Sequence, residues 1–177
     1  MKEKTYMATK TPFQTPKGTA KYAWLTRPDD VYNKENPKYT VDLRIAEADA
    51  KPLMDEAKKV ANDNFGTAKC RLPFAKDDET GDVLFKIRSK YQPKFVDSQG
   101  TLIAPEQLPQ ISGGSVMRVK GSFSPYSVQG NGITMMMTAV QIVDLVEAKI
   151  EFEPEEGGFV ATQKAANGNG QGADYDF

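Results

Sequence analysis

The chain has 177 residues, a length that fits one domain with appended segments, and it contains no histidine and one cysteine. Lack of histidine removes the commonest general base and metal ligand, so we expect no enzymatic centre, no metal and no cofactor. Residues 1–145 carry 21 Lys and Arg against 17 Asp and Glu, whereas residues 146–177 carry 2 against 7. A mildly basic body is therefore followed by an acidic end, an asymmetry that is a first indication of function.

The apolar content, the first ten residues and the cysteine content together predict a cellular compartment. No run of about 18 apolar residues is present, and the first ten residues lack the apolar stretch of a signal peptide. Cys70 has no second cysteine with which to form an intramolecular disulfide, which suits a reducing compartment. We expect a soluble, cytoplasmic protein.

The first quarter of the chain holds two predicted strands. Residues 1–17 are polar and punctuated by proline, which predicts a flexible arm rather than a packed element. Residues 19–25 and 39–45 alternate in polarity, so each segment is predicted to be a strand. Residues 27–38 between them are rich in Pro, Asp and Asn and predict a long loop. The expected faces are Ala20, Tyr22 and Trp24 in the first strand, and Tyr39, Val41, Leu43 and Ile45 in the second.

One helix is predicted, over residues 49–65. Asp49 or an immediate neighbour can cap its first turn, Pro52 suits that turn, and Gly66 is expected to end the helix. Its apolar residues recur at helical spacing and should form one buried face. They are Leu53, Ala57, Val60, Ala61 and Phe65.

Three further strands are predicted, over residues 83–90, 115–123 and 133–145. Pro125 is expected to end the second of them, and residues 129–132 (QGNG) predict a hairpin turn before the third. The inward-facing positions are Val83, Phe85 and Ile87 in the first, and Met117, Val119 and Phe123 in the second.

These elements predict an all-β fold class. Five main strands and one helix, joined mostly by short turns and without regular strand–helix alternation, favour a five-stranded antiparallel barrel with a capping helix. Residues 161–173 are almost wholly Gly, Asn, Gln and Ala, a composition that is typical of disorder. The predicted organisation is a flexible arm (1–17), a barrel domain (18–146) and a disordered acidic tail (147–177).

Basic and aromatic residues are interleaved on two predicted strands. Cations neutralise a phosphate track and aromatic rings stack on unpaired bases, so this mixture favours single-stranded nucleic acid as a ligand. The alternative is that such faces carry Lys and Arg only for solubility. The two groups are Lys86, Arg88, Lys90, Tyr91 and Lys94, and Arg118, Lys120, Phe123 and Tyr126.

Other groups leave alternatives open. Trp24, Tyr22 and Tyr39 could form core or stacking platforms. Residues 112–115 (SGGS) lack the lysine and spacing of a P-loop and are best interpreted as a turn. Clustered carboxylates at residues 77–82 could bind Mg²⁺ for a nuclease, but a solvated turn is the simpler interpretation.

In several segments the chain resembles the single-stranded DNA-binding proteins of tailed bacteriophages. The resemblance extends over most of the body, and its strength comes from the order and spacing of the segments rather than from any single motif. The segments are residues 18–29 (GTAKYAWLTRPD), 38–45 (KYTVDLRI), 96–100 (VDSQG) and 111–115 (ISGGS), followed by Val119-Lys120, Pro125-Tyr126 and the terminal Asp174-Tyr175-Asp176-Phe177.

This resemblance implies an OB-fold, binding to single-stranded DNA without strong sequence preference, and promotion of annealing in phage replication and recombination. It implies a tail that contacts the phage DNA polymerase and helicase-primase, homodimers, and work in the cytoplasm of an infected bacterium. Tyr126 corresponds to a stacking aromatic, Lys120 to a groove cation and Phe177 to a terminal anchor. The chain departs from the family in having only Asp174 and Asp176 near its end, which predicts weaker tail electrostatics.

The combined prediction is a DNA-binding groove over residues 83–90 and 115–123, without catalysis and without membrane association. The alternatives are a metal-dependent nuclease that uses Asp77, Asp78 and Asp82, and an assembly protein that does not bind DNA. In the tail, Asp174, Tyr175, Asp176 and Phe177 are expected to bind partner proteins. In the groove, Lys86, Arg88, Lys90, Arg118 and Lys120 are expected to contact phosphates, Tyr91, Phe123, Tyr126, Trp24 and Tyr22 to stack on bases, and Arg27 and Lys34 to close over the strand.

Overall fold

The computed structural model describes residues 10–31, 34–147 and 154–161. Within these ranges, ten strands and one α-helix follow in chain order, together with a short 3₁₀ turn at Pro105–Gln107. They are β1 (Thr11–Gln14), β2 (Gly18–Asp29), β3 (Lys38–Ile45), α1 (Glu47–Phe65), β4 (Cys70–Arg71), β5 (Phe74–Lys76), β6 (Val83–Ser89), β7 (Lys94–Val96), β8 (Leu102–Ile103), β9 (Val116–Tyr126) and β10 (Asn131–Asp144).

Five long strands form a closed circuit of pairings. β2 pairs with β3, β3 with β6, β6 with β10, β10 with β9, and β9 again with β2. The closing β2–β9 contact has only two register pairs, so the barrel is partly open at this seam, as OB-folds commonly are. The predicted β-rich OB-like fold is confirmed, with one difference: β6 and β10 run parallel, and the other four pairings are antiparallel.

The barrel interior is filled by the alternating apolar positions of these strands. Val83, Phe85 and Ile87 of β6 are buried, and their polar neighbours in the strand face outward. Fully burying each such side chain contributes about 1.5–3 kcal/mol, so this interior is the main source of stability. The largest fully buried side chains are Phe85, Phe95, Phe123, Leu25, Leu43, Ile45, Ile87, Met117 and Met135.

Helix α1 covers part of the core against β9 and β10. It begins at Glu47, two residues before the predicted start, and no side chain caps it, so the prediction that Asp49 or an immediate neighbour caps the helix is wrong. Gly66 ends the helix with φ +59°, as predicted, a conformation that is least strained without a side chain. The buried face consists of Ala50, Leu53, Ala57, Val60 and Ala61.

The N-terminal segment packs against the barrel, contrary to the predicted arm over residues 1–17. Thr11–Gln14 forms β1, which pairs antiparallel with β9. The Phe13 ring is buried and lies 5.0 Å from the Phe123 ring, and the Val119 N–H donates a hydrogen bond to the Thr15 hydroxyl. One apolar side chain and one hydroxyl therefore fix a polar segment that has no strand periodicity. Residues 1–9 lie outside the described residues.

Strand β2 contains a bulge that reverses the predicted faces. Lys21 is opposite Asp42 and Trp24 is opposite Thr40, so three steps along β2 match two steps along β3. Tyr22 lies in the bulge with φ +52°. Beyond it Leu25 faces the core and Trp24 faces outward, so the prediction that Ala20, Tyr22 and Trp24 share a face is wrong.

Two predicted element ends are also displaced. Strand β2 continues to Asp29, so the loop before β3 is shorter than the predicted 27–38. Strand β9 continues through Pro125 to Tyr126. Proline is accepted there because β1 pairs with β9 only as far as Phe123, which leaves the Pro125 nitrogen on an unpaired edge. In the described part of the chain, no helix is long and apolar enough to cross a membrane.

Candidate functional site

Three adjoining depressions lie on the outer face of the sheet, with volumes of about 630, 580 and 180 Å³. Arg88 lines all three, so we treat them as one groove, which crosses β3, β6 and β10. Lining residues from the first depression are Tyr22, Trp24, Asp29, Lys38, Thr40, Asp42 and Lys86. The other two add Arg71, Leu72, Pro73, Phe74, Lys90, Ser124, Tyr126, Val128, Thr134 and Met136, among others.

Strand register determines which side chains meet in the groove. Trp24, Thr40, Arg88 and Met136 occupy one row across β2, β3, β6 and β10. Neighbouring strands are about 4.8 Å apart, so this row spans roughly 14 Å. The row places an aromatic ring at one side of the groove and a guanidinium near its middle.

The outer face of β6 supplies the central cations. Because Val83, Phe85, Ile87 and Ser89 face inward, the alternating Lys86 and Arg88 and the adjacent Lys90 face the groove. The ion pairs among the described residues are Arg44–Asp82 and Lys76–Glu47. No carboxylate in these ranges therefore lies within 4.0 Å of Lys86, Arg88 or Lys90. These cations are therefore available to an external anion.

Tyr126 lies at the far side of the groove because Gly132 has no side chain. The two residues are opposite each other in the β9–β10 ladder, and a Cβ at Gly132 would overlap the Tyr126 ring. The ring thus rests on the β10 backbone and lines two of the three depressions. This position leaves part of an aromatic surface open beside Arg88.

Trp24 lies at the near side of the groove and is the only tryptophan of the chain. The Arg27 guanidinium lies 5.0 Å from the centre of its ring, and the Lys21 ammonium 5.5 Å from that of Tyr22. Tyr22 is 68% exposed. A cation therefore lies over each ring. In this arrangement the guanidinium plane and the aromatic planes can each stack on a base.

Asp42 is the acidic side chain on the groove floor between these cations. Burial raises the pKa of its carboxyl above the usual 3.8, and the charges of Lys86, Arg88 and Lys21 act in the opposite direction. Its register partners are Lys21 on β2 and Lys86 on β6. The lining cations Lys38, Arg71, Lys86, Arg88 and Lys90 outnumber the lining carboxylates Asp42 and Asp29, so the groove is positively charged overall.

Several predicted site residues do come together. Lys86, Arg88, Lys90, Tyr126 and Trp24 all line the groove, as does Tyr22. Arg27 lies over Trp24 rather than over the groove floor, and Lys34 is exposed before β3. Tyr91 is 80% exposed next to the end of β6, where its N–H donates to the Ser89 hydroxyl, and it does not line the three depressions.

The structure contradicts the predicted role of Phe123. Its side chain is 0% exposed and packs against Phe13, so it belongs to the core and cannot stack on bases. Arg118 and Lys120 do face outward, but neither lines the groove. Lys120 is six residues from Tyr126 along β9, roughly 20 Å at about 3.3 Å per residue. Asp174, Tyr175, Asp176 and Phe177 lie outside the described residues.

Sequence reasoning missed part of the lining. Lys38 continues the outward alternation of Thr40 and Asp42, so that pattern could have identified it. Arg71 reaches the groove because β4 pairs with β10, and Phe74 because β5 pairs with β6. Such two- and three-residue strands have no periodicity that could predict them.

The acidic turn before β6 is satisfied by its own hydrogen bonds. The Asp77 carboxylate accepts bonds from the Glu79 N–H and the Thr80 hydroxyl, both 3.1 Å long. The Glu79 N–H is the main reason why the pKa of Asp77 lies below its usual value. Among residues 10–31, 34–147 and 154–161, no three Asp, Glu, Cys or His side chains are grouped so as to hold a metal.

Comparisons with known proteins point to one class. No protein-family model matches the chain. It is 28% identical to the "Single-stranded DNA-binding protein" of Enterobacteria phage T3, over 82% of this chain and 84% of that protein. It is also 28% identical to the protein of the same name from Escherichia phage T7, with 86% of each chain covered.

Solved structures agree with these relatives. The crystal structure of gp2.5, a single-stranded DNA-binding protein encoded by bacteriophage T7, has a TM-score of 0.65 and 26% identity, covering 87% of this chain and all of that one. A single-stranded DNA-binding protein from bacteriophage Enc34, in complex with ssDNA, has a TM-score of 0.60 and 18% identity, covering 77% and 88%. The likeness to Enc34 concerns the fold alone, and the resemblance noted in the sequence is confirmed. All these relatives are named as binding proteins, not as enzymes.

Proposed function

We propose that this protein, a homologue of the phage T3 and T7 single-stranded DNA-binding proteins, binds single-stranded DNA in the groove over β3, β6 and β10. The observation that carries the proposal is the groove itself, which is lined by the Trp24 and Tyr126 rings and by Lys86, Arg88 and Lys90, cations that have no carboxylate within 4.0 Å among the described residues. Phosphates need the cations and unpaired bases need the rings, and a double helix would expose no base faces to them.

The groove holds a strand by two separable interactions. Lys86, Arg88 and Lys90 neutralise phosphates, and each neutralised phosphate releases counterions, so this part of the affinity falls with salt. Tyr126 and Trp24 stack on bases, and each stack contributes about 1–3 kcal/mol with little dependence on salt. Because every base has a π-face, most of the affinity is independent of sequence. Bases held in this way are unpaired, so binding opposes hairpin formation.

The wider role that we propose follows from the homology and from the acidic end of the chain. The protein coats single strands, promotes annealing and presents DNA to replication and recombination enzymes in the cytoplasm of an infected bacterium. Its C-terminal residues Asp174–Phe177 offer a partner two aromatic rings between carboxylates, and the phage polymerase and helicase-primase are the proposed partners. A homodimer is part of the same proposal.

Trp24 gives this proposal a direct test, because the only tryptophan of the chain lines the groove. Titration of oligo-dT against intrinsic fluorescence should quench Trp24 and saturate. The slope of log K against log salt should be about −0.7 for each neutralised phosphate. Absence of binding at low salt would contradict the proposal and would favour an assembly protein that uses this barrel only for protein contacts.

The same protein and oligonucleotide also test the nuclease alternative. A metal-dependent nuclease would cut the oligonucleotide when Mg²⁺ is added, and Asp78→Ala would abolish the cutting. The Asp77 carboxylate already accepts hydrogen bonds from its own turn, which argues against its binding a metal ion. We therefore expect the oligonucleotide to remain intact. Gel analysis of the titrated strand distinguishes the two outcomes.

A further inference from the structure

Asp42 has an unusual place in a groove that we propose for an anionic ligand. It lies on β3, between Lys21 of β2 and Lys86 of β6, and it lines the same depression as Tyr22 and Trp24. A carboxylate repels phosphate, so its presence on the groove floor weakens any contact with the DNA backbone there. The groups that it suits are hydrogen-bond donors without negative charge.

The Asp42 carboxylate also has open acceptor capacity. Within the described residues it makes no hydrogen bond, and no Lys or Arg nitrogen lies within 4.0 Å of it, although three cations flank it. Its oxygens are not sealed from solvent, since no buried, unpartnered side-chain oxygen is present in this part of the chain. Asp42 is half-buried beside a groove that can hold a ligand. It therefore presents an acceptor to whatever occupies the groove.

Register places this acceptor within reach of a stacked base. Trp24 is directly opposite Thr40, and Asp42 is two residues further along β3, so Trp24 and Asp42 are diagonal neighbours. Diagonal neighbours on one face of a sheet are about 7–8 Å apart, which is comparable to the width of a base. A base stacked on Trp24 or Tyr22 can therefore direct its polar edge toward Asp42.

We propose that Asp42 accepts a hydrogen bond from the amino group of a base in this groove, and so favours cytosine, adenine and guanine over thymine. The proposal rests on the proposed function. A carboxylate accepts but cannot donate, so it matches the cytosine N4 amino group. Thymine and uracil offer a single donor on this edge, N3–H, which lies between two carbonyl oxygens that repel the carboxylate. Stacking and phosphate contacts stay independent of sequence, and Asp42 adds a moderate preference to them.

The simpler role for Asp42 is charge balance. Opposite charges across neighbouring strands stabilise a sheet, and Asp42 lies between two lysines. Charge balance acts equally on all bases, because the phosphates are the same in every oligonucleotide. The ratio of affinities for two bases therefore separates the two roles, whereas a change in overall affinity does not.

The test compares oligo-dC with oligo-dU of equal length, measured by Trp24 fluorescence with the full-length protein at neutral pH and one salt concentration. Cytosine and uracil differ at position 4 (an amino group against a carbonyl) and in the matching N3 proton, and neither has the methyl group of thymine. The wild type should bind oligo-dC about 3- to 10-fold more tightly, the effect expected of one hydrogen bond in a half-exposed site. In Asp42→Asn the ratio should fall to about one or below, because an amide can donate to O4.

Asp144→Asn is the matched control, since it removes the same charge from an exposed position on β10 that does not line the groove. It should leave the ratio of the wild type unchanged. A wild-type ratio of one would overturn the proposal, as would an Asp42→Asn variant that keeps the ratio while both affinities rise. If neither oligonucleotide binds at low salt, the proposed function itself fails, and that outcome is distinct from equal binding of both.

Discussion

Tyr126 is a site residue because of a residue on another strand. The missing side chain of Gly132 leaves the space that the Tyr126 ring occupies on the β10 backbone. The sequence places a tyrosine after Pro125 and a glycine in the following turn, and neither alone predicts an aromatic platform. The family resemblance identified Tyr126, and the structure shows what holds its ring beside Arg88.

We therefore expect Tyr126→Ala to weaken oligo-dT binding by roughly 1–3 kcal/mol, because it removes one base stack. The salt dependence of binding should stay as in the wild type, since no charge is lost. Tyr126→Phe keeps the ring and is the control, with affinity close to that of the wild type. A Tyr126→Ala protein with a strongly lowered melting temperature would instead show that the ring mainly stabilises the fold.

For Phe123, the residue type and the position on the strand predict different roles. Alternation along residues 115–123 predicts that Met117, Val119 and Phe123 face inward, and the structure confirms this face. The predicted stacking role of Phe123 rests only on its aromatic ring and its basic neighbours. Periodicity was the better guide, because a side chain on the inner face of a closed sheet cannot reach a ligand.

At the scale of elements, the bulge in β2 produces one side of the groove. An extra residue at Tyr22 reverses the alternation, so that Trp24 faces outward opposite Thr40 while Leu25 enters the core. Sequence alternation could not predict this, because Ala20, Tyr22 and Trp24 form a regular pattern by themselves. A bulge is defined by the pairing of two strands, so the sequence of β2 alone cannot reveal it.

The turn between β5 and β6 makes a prediction about stability. Asp77→Ala removes the acceptor of the Glu79 N–H and the Thr80 hydroxyl, so it should lower the melting temperature at neutral pH. These bonds hold the pKa of Asp77 below 3.8 in the folded protein, so their contribution is complete above 3.8 and is lost as pH falls through the lower folded pKa.

Thermal unfolding followed by circular dichroism should therefore show the largest difference between wild type and Asp77→Ala at neutral pH, and a smaller one in acid. Asp78→Ala, an exposed change in the same turn, is the control and should behave as the wild type. A difference that grows on acidification would show that the Asp77 carboxylate is not the stabilising group.

Over the whole molecule, the long strands could be predicted and the short ones could not. The five predicted strands correspond to β2, β3, β6, β9 and β10, because each is long enough to show alternation. Strands β1, β4, β5, β7 and β8 have two to four residues and depend on pairing with a neighbour that is already in place. The groove therefore could be predicted along β6, while its edges at Arg71 and Phe74 could not.

The separation of charge along the chain makes a prediction about autoinhibition. Residues 148–177 hold six Asp and Glu against two Lys, and an acidic segment is attracted to the cations of the groove. Deleting these residues should tighten oligo-dT binding, most clearly at low salt where screening is weak. The deletion keeps Val146, whose N–H and C=O bond to the Ser115 hydroxyl, so the barrel end stays intact. Equal or weaker binding would argue against competition between this segment and DNA.

The central claim is that DNA lies across β6 and not along the other basic face of the barrel, and two charge-matched double variants test it. Lys86→Ala with Arg88→Ala removes two cations from the groove, and Arg118→Ala with Lys120→Ala removes one Lys and one Arg outside the groove. In salt titrations of oligo-dT binding, the groove variant should lose affinity and about 1.4 of the log–log slope, while the other retains both. Equal losses in the two variants, or a larger loss at Arg118 and Lys120, would contradict the account.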